Sequence, residues 1–146
     1  MSRKKGLFFA AKGGFNNESH NHNDIGTFIL YKDEQPMFID AGVGTYNKKT
    51  FSNERYDIWT MQSGYHNLPQ INGYEQPFGK NYKSKNASFD AKRNEFKLDI
   101  AGAYPKEANI KTWIRSYKIN NNEGGYLVTF IKLINDSVKV GMIDHA

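Results

Sequence analysis

No cysteine occurs among the 146 residues, so disulfide cross-links are excluded while the redox compartment stays open. No apolar run is long enough to span a bilayer. The opening Met1 to Ala11 starts with basic residues like an export signal, but its apolar core is only about five residues, too short for one. Phe8-Phe9-Ala10-Ala11 reads instead as a first strand. Acidic residues are scarce relative to basic ones, 15 against 20, which leaves a net charge of +5. That balance favours an anionic polymer, yet the charges are scattered over Lys48-Lys49, Lys80 to Lys85 and Lys92-Arg93. A scattered excess suits a solvated surface, and it would serve nucleic acid or anionic lipid equally well. Gly79 to Lys85 is the densest basic patch and reads as a loop. There is no internal repeat and no interdomain linker. The length suits one domain, residues 1–146, with a modest core.

What the chain does have is the run Ser19-His20-Asn21-His22-Asn23-Asp24. In an extended strand, side chains two apart share a face, so His20, His22 and Asp24 would point together. A helix would splay the two histidines about 200° apart. The competing reading is a solvated polar turn, because Asn and Asp bond their own backbone. The chain holds four histidines: His20, His22, His66 and His145. Pro36 to Gly42 is an apolar run that ends with Asp40 beside a glycine turn. A carboxylate there is costly unless it is paired or bound to a metal. Two imidazoles, one carboxylate and an open fourth position form a familiar zinc arrangement. Spacing places suitable ligands near strand ends, no more.

Strand-like runs recur near residues 7–11, 25–31, 36–40, 67–72, 86–90, 95–100, 111–119 and 125–134. Turn chemistry separates them at Lys32-Asp33-Glu34, Asn72-Gly73, Lys92-Arg93-Asn94 and Asn120 to Gly125. Residues 89–100 read as a hairpin. Thr50 to Met61 is the best helical candidate, and Trp59 and Trp113 read as core residues. The pattern predicts an all-β, antiparallel β-sandwich.

Four segments carry a resemblance: Ser-His-Asn-His-Asn-Asp at 19–24, Phe38-Ile39-Asp40-Ala41-Gly42, Arg55-Tyr56-Asp57-Ile58-Trp59-Thr60, and Tyr65 to Gly73. In order and approximate spacing, residues 8–73 resemble the heparinase II/III-like family of polysaccharide lyases, at the start of its C-terminal β-sandwich domain. The resemblance implies that His20 reaches into a catalytic cleft, and that His22, Asp40 and His66 hold one structural zinc ion per chain. Tyr46 and Tyr56 become catalytic candidates beside His20, and Arg55 a substrate-binding one. The implied chemistry is β-elimination at a uronic acid of an acidic polysaccharide, such as a glycosaminoglycan or alginate. A base must reach the proton beside the sugar carboxylate, and a neutralising group must stabilise the charge that develops. His20 could serve in either capacity.

In the family the tyrosine acid/base comes from an N-terminal α/α-toroid domain, which these residues do not contain. The expectation is therefore a fragment of a two-domain lyase with little activity alone, from a periplasmic or secreted parent. Neither a nucleic-acid partner nor a membrane span is expected. Residues 131–146 depart from the family pattern. A truncated or altered tail would leave the sandwich incomplete at its C-terminus, with exposed edges that favour a homodimer. His145 receives no role. The main rival reading is a noncatalytic sandwich that binds anionic carbohydrate around a structural metal. A metal-dependent hydrolase built on His22, Asp40 and His66 ranks lower, because no general-base Glu stands beside those ligands.

Overall fold

The computed structural model describes residues 2–4, 6–119, 130–133 and 140–141, and only the backbone of the first and last two of these stretches. Its strands in chain order are β1 (Ser2–Lys4), β2 (Leu7–Ala11), β3 (Phe15–Asn16), β4 (Phe28–Lys32), β5 (Gln35–Phe38) and β6 (Gln70–Ile71). They continue with β7 (Gly79–Lys83), β8 (Lys85–Asp90), β9 (Glu95–Asp99), β10 (Trp113–Lys118), β11 (Phe130–Leu133) and β12 (Val140–Gly141). All pairings are antiparallel. One four-stranded sheet has the order β1-β2-β4-β5 and the other β11-β10-β9-β8, while β12-β6 and β3-β7 form two short ribbons. The fold is the all-β sandwich that the recurring short strands and turn signals predict.

Alternation explains which faces meet. Leu7 and Phe9 of β2, with Phe28 and Leu30 of β4, point inward, and their neighbours Phe8 and Ile29 are half-buried. Leu98 of β9 and Tyr117 of β10 come from the facing sheet. The Tyr117 ring lies 5.4 Å from Phe9 and 5.8 Å from Phe28, so one aromatic joins the two layers. Each such buried side chain stabilises by roughly 1.5–3 kcal/mol relative to exposure. The turn signals hold as well. Asp33 and Glu34 between β4 and β5 have φ of 48° and 66°, the left-handed pair that matches strand twist in a tight hairpin. Asn94 closes the β8–β9 hairpin at φ 48°.

Several expectations need correction. Thr50 to Met61 is no α-helix: it forms separate 3₁₀ turns at Lys49–Phe51, Arg55–Asp57 and Trp59–Met61, followed by Ser63–Tyr65. Ser52, Ile58 and Gln62 are extended, which breaks the hydrogen-bond ladder after each turn. Gly79 to Lys83 is strand β7 rather than a loop, since β3 pairs with it from Asn16 to Gly79 and from Phe15 to Lys83. The strand expected at 25–31 begins at Phe28, that at 36–40 ends at Phe38, and 67–72 shrinks to β6. Trp59 is 53% exposed and stacks edge-on with Tyr65, so it is not a core residue, whereas Trp113 packs against the core. Of the strand expected at 125–134 only β11 is described, and His145 lies outside the described residues. No helix among the described residues is long and apolar enough to cross a membrane.

Candidate functional site

Residues 19–24 are not a strand. Ser19 and His20 form a turn, and His20 adopts φ 56°, the left-handed region that a side chain rarely enters. This reversal separates His20, which is exposed, from Asn21, His22, Asn23 and Asp24, which are all buried. The shared face expected for His20, His22 and Asp24 therefore does not form. The physical reason is that the loop's backbone finds partners other than a neighbouring strand. Asn23 N donates to the Met61 carbonyl at 2.9 Å. Gln76 brackets Ile25, accepting from its N–H at 3.0 Å and donating to its carbonyl at 2.8 Å. Asp24 makes a 2.5 Å ion pair with Lys12, and its carbonyl accepts from Thr27 N.

His22 and His66 come together from opposite ends of this region, with ring centroids 5.6 Å apart. The fourth 3₁₀ turn, Ser63–Tyr65, delivers His66 into the interior, where its side chain is fully buried. Its Nδ1 lies 2.7 Å from Asp40 Oδ1. The Asp40 carboxylate also accepts from Gly42 N at 3.2 Å, and its Oδ2 lies 3.1 Å from Thr27 Oγ1. Burial pushes the Asp40 pKa up, but the His66 bond and charge, Gly42 and Thr27 together bring it below the usual carboxylate value. An ionised Asp40 can only accept, so the His66 proton that faces it sits on Nδ1, and Nε2 is the nitrogen left for another partner. That Nε2 is buried and has no hydrogen-bond partner. Burial also lowers the pKa of His22, helped by His66 and Lys12 and opposed by Asp24 and Asp40. A His22 disposed to be neutral and an ionised Asp40 are protonation states that suit a zinc site. Even so, among the described residues no three His, Cys, Asp or Glu side chains stand in ligating geometry. Asp40 is turned toward His66, the way a carboxylate orients a ligating imidazole from behind.

Beside this centre opens a cleft of about 480 Å³ lined by His20, Asn21, Phe51, Arg55, Tyr56 and Phe78, among others. Tyr56 stacks on Phe78 with ring centroids 4.4 Å apart, and its hydroxyl accepts from Asn21 Nδ2 at 3.3 Å. Tyr46 stands next to the cleft, edge-on to His20 with 6.4 Å between centroids, and stacks on Phe51. Arg55 turns its guanidinium to backbone, donating to the Asn21 carbonyl from Nε and Nη2 and to the Thr50 carbonyl from Nη1. The arrangement offers an exposed imidazole and aromatic walls to a ligand, over a buried pair of nitrogen donors.

Sequence reasoning missed the residues that hold this site in place. Asn67 accepts from Phe28 N at 3.1 Å and donates to Phe28 O at 2.7 Å, acting as one more rung beside β4. Arg115, buried on β10, donates to the carbonyls of Gly26 and Asn67, and the Tyr117 hydroxyl donates to the same Gly26 carbonyl. Gly26 has φ 90°, and a Cβ there would lie 2.9 Å from Ile100 Cγ2. The only available signal was Asn67 standing next to His66. Arg115 is distant in sequence and carries none.

Among curated proteins none matches this chain. The family described as heparinase II/III-like, C-terminal, does match, over residues 4–123.

Proposed function

Because the chain belongs to the heparinase II/III-like family, through that family's C-terminal domain, and the family is one of polysaccharide lyases, we propose that it serves as the zinc-binding sandwich of an enzyme that cleaves uronate-containing polysaccharide by β-elimination. The observation that supports this best is the buried, unpartnered His66 Nε2 beside a buried His22, which stands two residues along the chain from the His20 that lines the cleft. Of His22, Asp40 and His66, the two imidazoles would hold the ion and Asp40 would fix the His66 ring from behind, and the ion's chemistry here is to tie the chain segments beneath the cleft together. The described residues contribute His20 as the group that takes the proton beside the uronate carboxylate or neutralises that carboxylate, within hydrogen-bond reach. Tyr56, Phe51 and Phe78 supply ring faces for sugar. Tyr46 backs the His20 imidazole and limits the directions it can take. Proton return to the leaving sugar oxygen falls to a toroid domain of the same enzyme, so the 146 residues alone leave product formation negligible. The parent enzyme works in the periplasm or outside the cell, where such polymers occur.

The experiment mixes the purified chain with the toroid domain of a lyase of this family and follows 4,5-unsaturated uronate by absorbance. Product that requires both parts and falls by about a hundredfold or more in His20→Ala, the scale on which a positioned acid or base contributes, supports the reading. Polysaccharide binding without product, unchanged in His20→Ala, rejects it in favour of a noncatalytic carbohydrate module.

A further inference from the structure

The peptide between His20 and His22 is gripped by two adjacent residues of the second 3₁₀ turn. Arg55 Nε and Nη2 lie 3.1 and 3.0 Å from the Asn21 carbonyl oxygen, and Nη1 lies 2.7 Å from that of Thr50. Tyr56, next in sequence, receives the Asn21 side chain on its hydroxyl. Asn21 is thus held by its main chain and its side chain at once. Immediately before it, His20 occupies the left-handed backbone region at φ 56°. Such a conformation persists only where the surroundings over-determine it, and these cases gather at functional sites.

We propose that Arg55 is a positioning residue, whose fork on the Asn21 carbonyl keeps His20 left-handed and sets the cleft imidazole at a fixed distance from the buried His22. The importance of that distance rests on the lyase reading; the geometry does not. The alternative is that Arg55 meets the sugar carboxylate directly as a cation. Three of its five N–H groups already address carbonyls. A planar guanidinium can bridge the Asn21 and Thr50 carbonyls through a rigid fork, whereas a lysine ammonium is a point charge on a flexible stem. Lysine would therefore preserve much of a charge attraction to sugar and lose the grip on the loop.

The test compares isotope-labelled wild type, Arg55→Lys and Arg55→Ala by the backbone chemical shifts of His20 and by the affinity for zinc alone. Both variants are expected to move the His20 shifts away from left-handed values while core methyl signals stay in place. Zinc affinity is expected to fall by about tenfold or more, the scale seen when a group supporting a ligand is lost. Millimolar guanidinium should restore the His20 shifts in Arg55→Ala, and methylammonium should not. Unchanged His20 shifts in Arg55→Lys overturn the proposal, since charge alone would then suffice. Unfolding of both variants also overturns it, because Arg55 would then be a general structural residue. If His20 moves and guanidinium restores it while even the wild type binds neither zinc nor uronate oligosaccharide, the positioning role stands and the lyase reading falls.

Discussion

Residues 21–24 and residues 37–51, bridged by Arg55 from the Asn21 carbonyl to that of Thr50, reverse the usual distribution of polarity. Asn21, His22, Asn23 and Asp24 are each at most 8% exposed. Met37, Phe38, Ile39, Val43, Tyr46 and Phe51 are 46% to 73% exposed. Transfer free energy alone would exchange the two segments. The polar loop stays inside because Arg55 takes the Asn21 carbonyl, Met61 the Asn23 N–H and Lys12 the Asp24 carboxylate, while Gln76 brackets the next residue, Ile25. The apolar segment stays outside because only β5 within it pairs with a strand, and from Ile39 to Lys48 the chain is irregular. Burial in this region follows the supply of hydrogen-bond partners more than hydropathy, and that is how sites are built.

The largest expected effect comes from breaking the polar side at its centre. Elemental analysis should find about one zinc per chain in the wild type and none in His22→Ala or His66→Ala. Chelation should lower the melting temperature by roughly 10 °C, the consequence of losing a ligand present at about a hundred times its dissociation constant. A folded wild-type protein without metal would leave the buried polar loop stabilised by hydrogen bonds alone. Next in size is Arg115→Leu, which strips donors from the carbonyls of Gly26 and Asn67. Urea unfolding should register a loss of about 3 kcal/mol, the cost of leaving such buried groups unpaired.

A pH titration of the metal-free protein sharpens the comparison further. The folded-state pKa of His22 lies below its ordinary 6.5, so between those two values the unfolded chain binds more protons than the folded one. Stability contributed by neutral His22 is complete above about pH 6.5 and is lost as pH falls through the folded pKa. Denaturant midpoints should rise with pH over that window in the wild type, and the rise should flatten in His22→Gln. The smallest effect belongs to the apolar side. Phe51→Ser and Ile39→Ser should change unfolding free energy by no more than about 0.5 kcal/mol. A loss several times larger would mean that the segment is covered in solution.

β2 and β4 were legible as short apolar runs bounded by turn residues, and β9 by the alternation of Phe96 and Leu98 with Lys97 and Asp99. The turns at Asp33-Glu34 and Asn94 were legible because left-handed backbone selects particular residues. Thr50 to Met61, expected as a helix, makes separate 3₁₀ turns because Ser52, Ile58 and Gln62 go extended and end each turn after three residues. The candidate site was legible as a set of residue types, His20, His22, Asp40 and His66, and as a family resemblance. Its supports Asn67, Gln76 and Arg115 were not, since each acts on backbone more than 35 residues away.

Taken by itself, the chain's order of residues determined the all-β class, the hairpins and the residue types of the candidate site, because periodicity and turn preference are local properties. Only the tertiary structure decided that Asn21 to Asp24 are buried, that His20 turns away from His22 into a cleft, and that Arg55 faces carbonyls. Those outcomes depend on which distant donor reaches which peptide group, and hydrogen-bond geometry at that range is set by the packing of the two sheets.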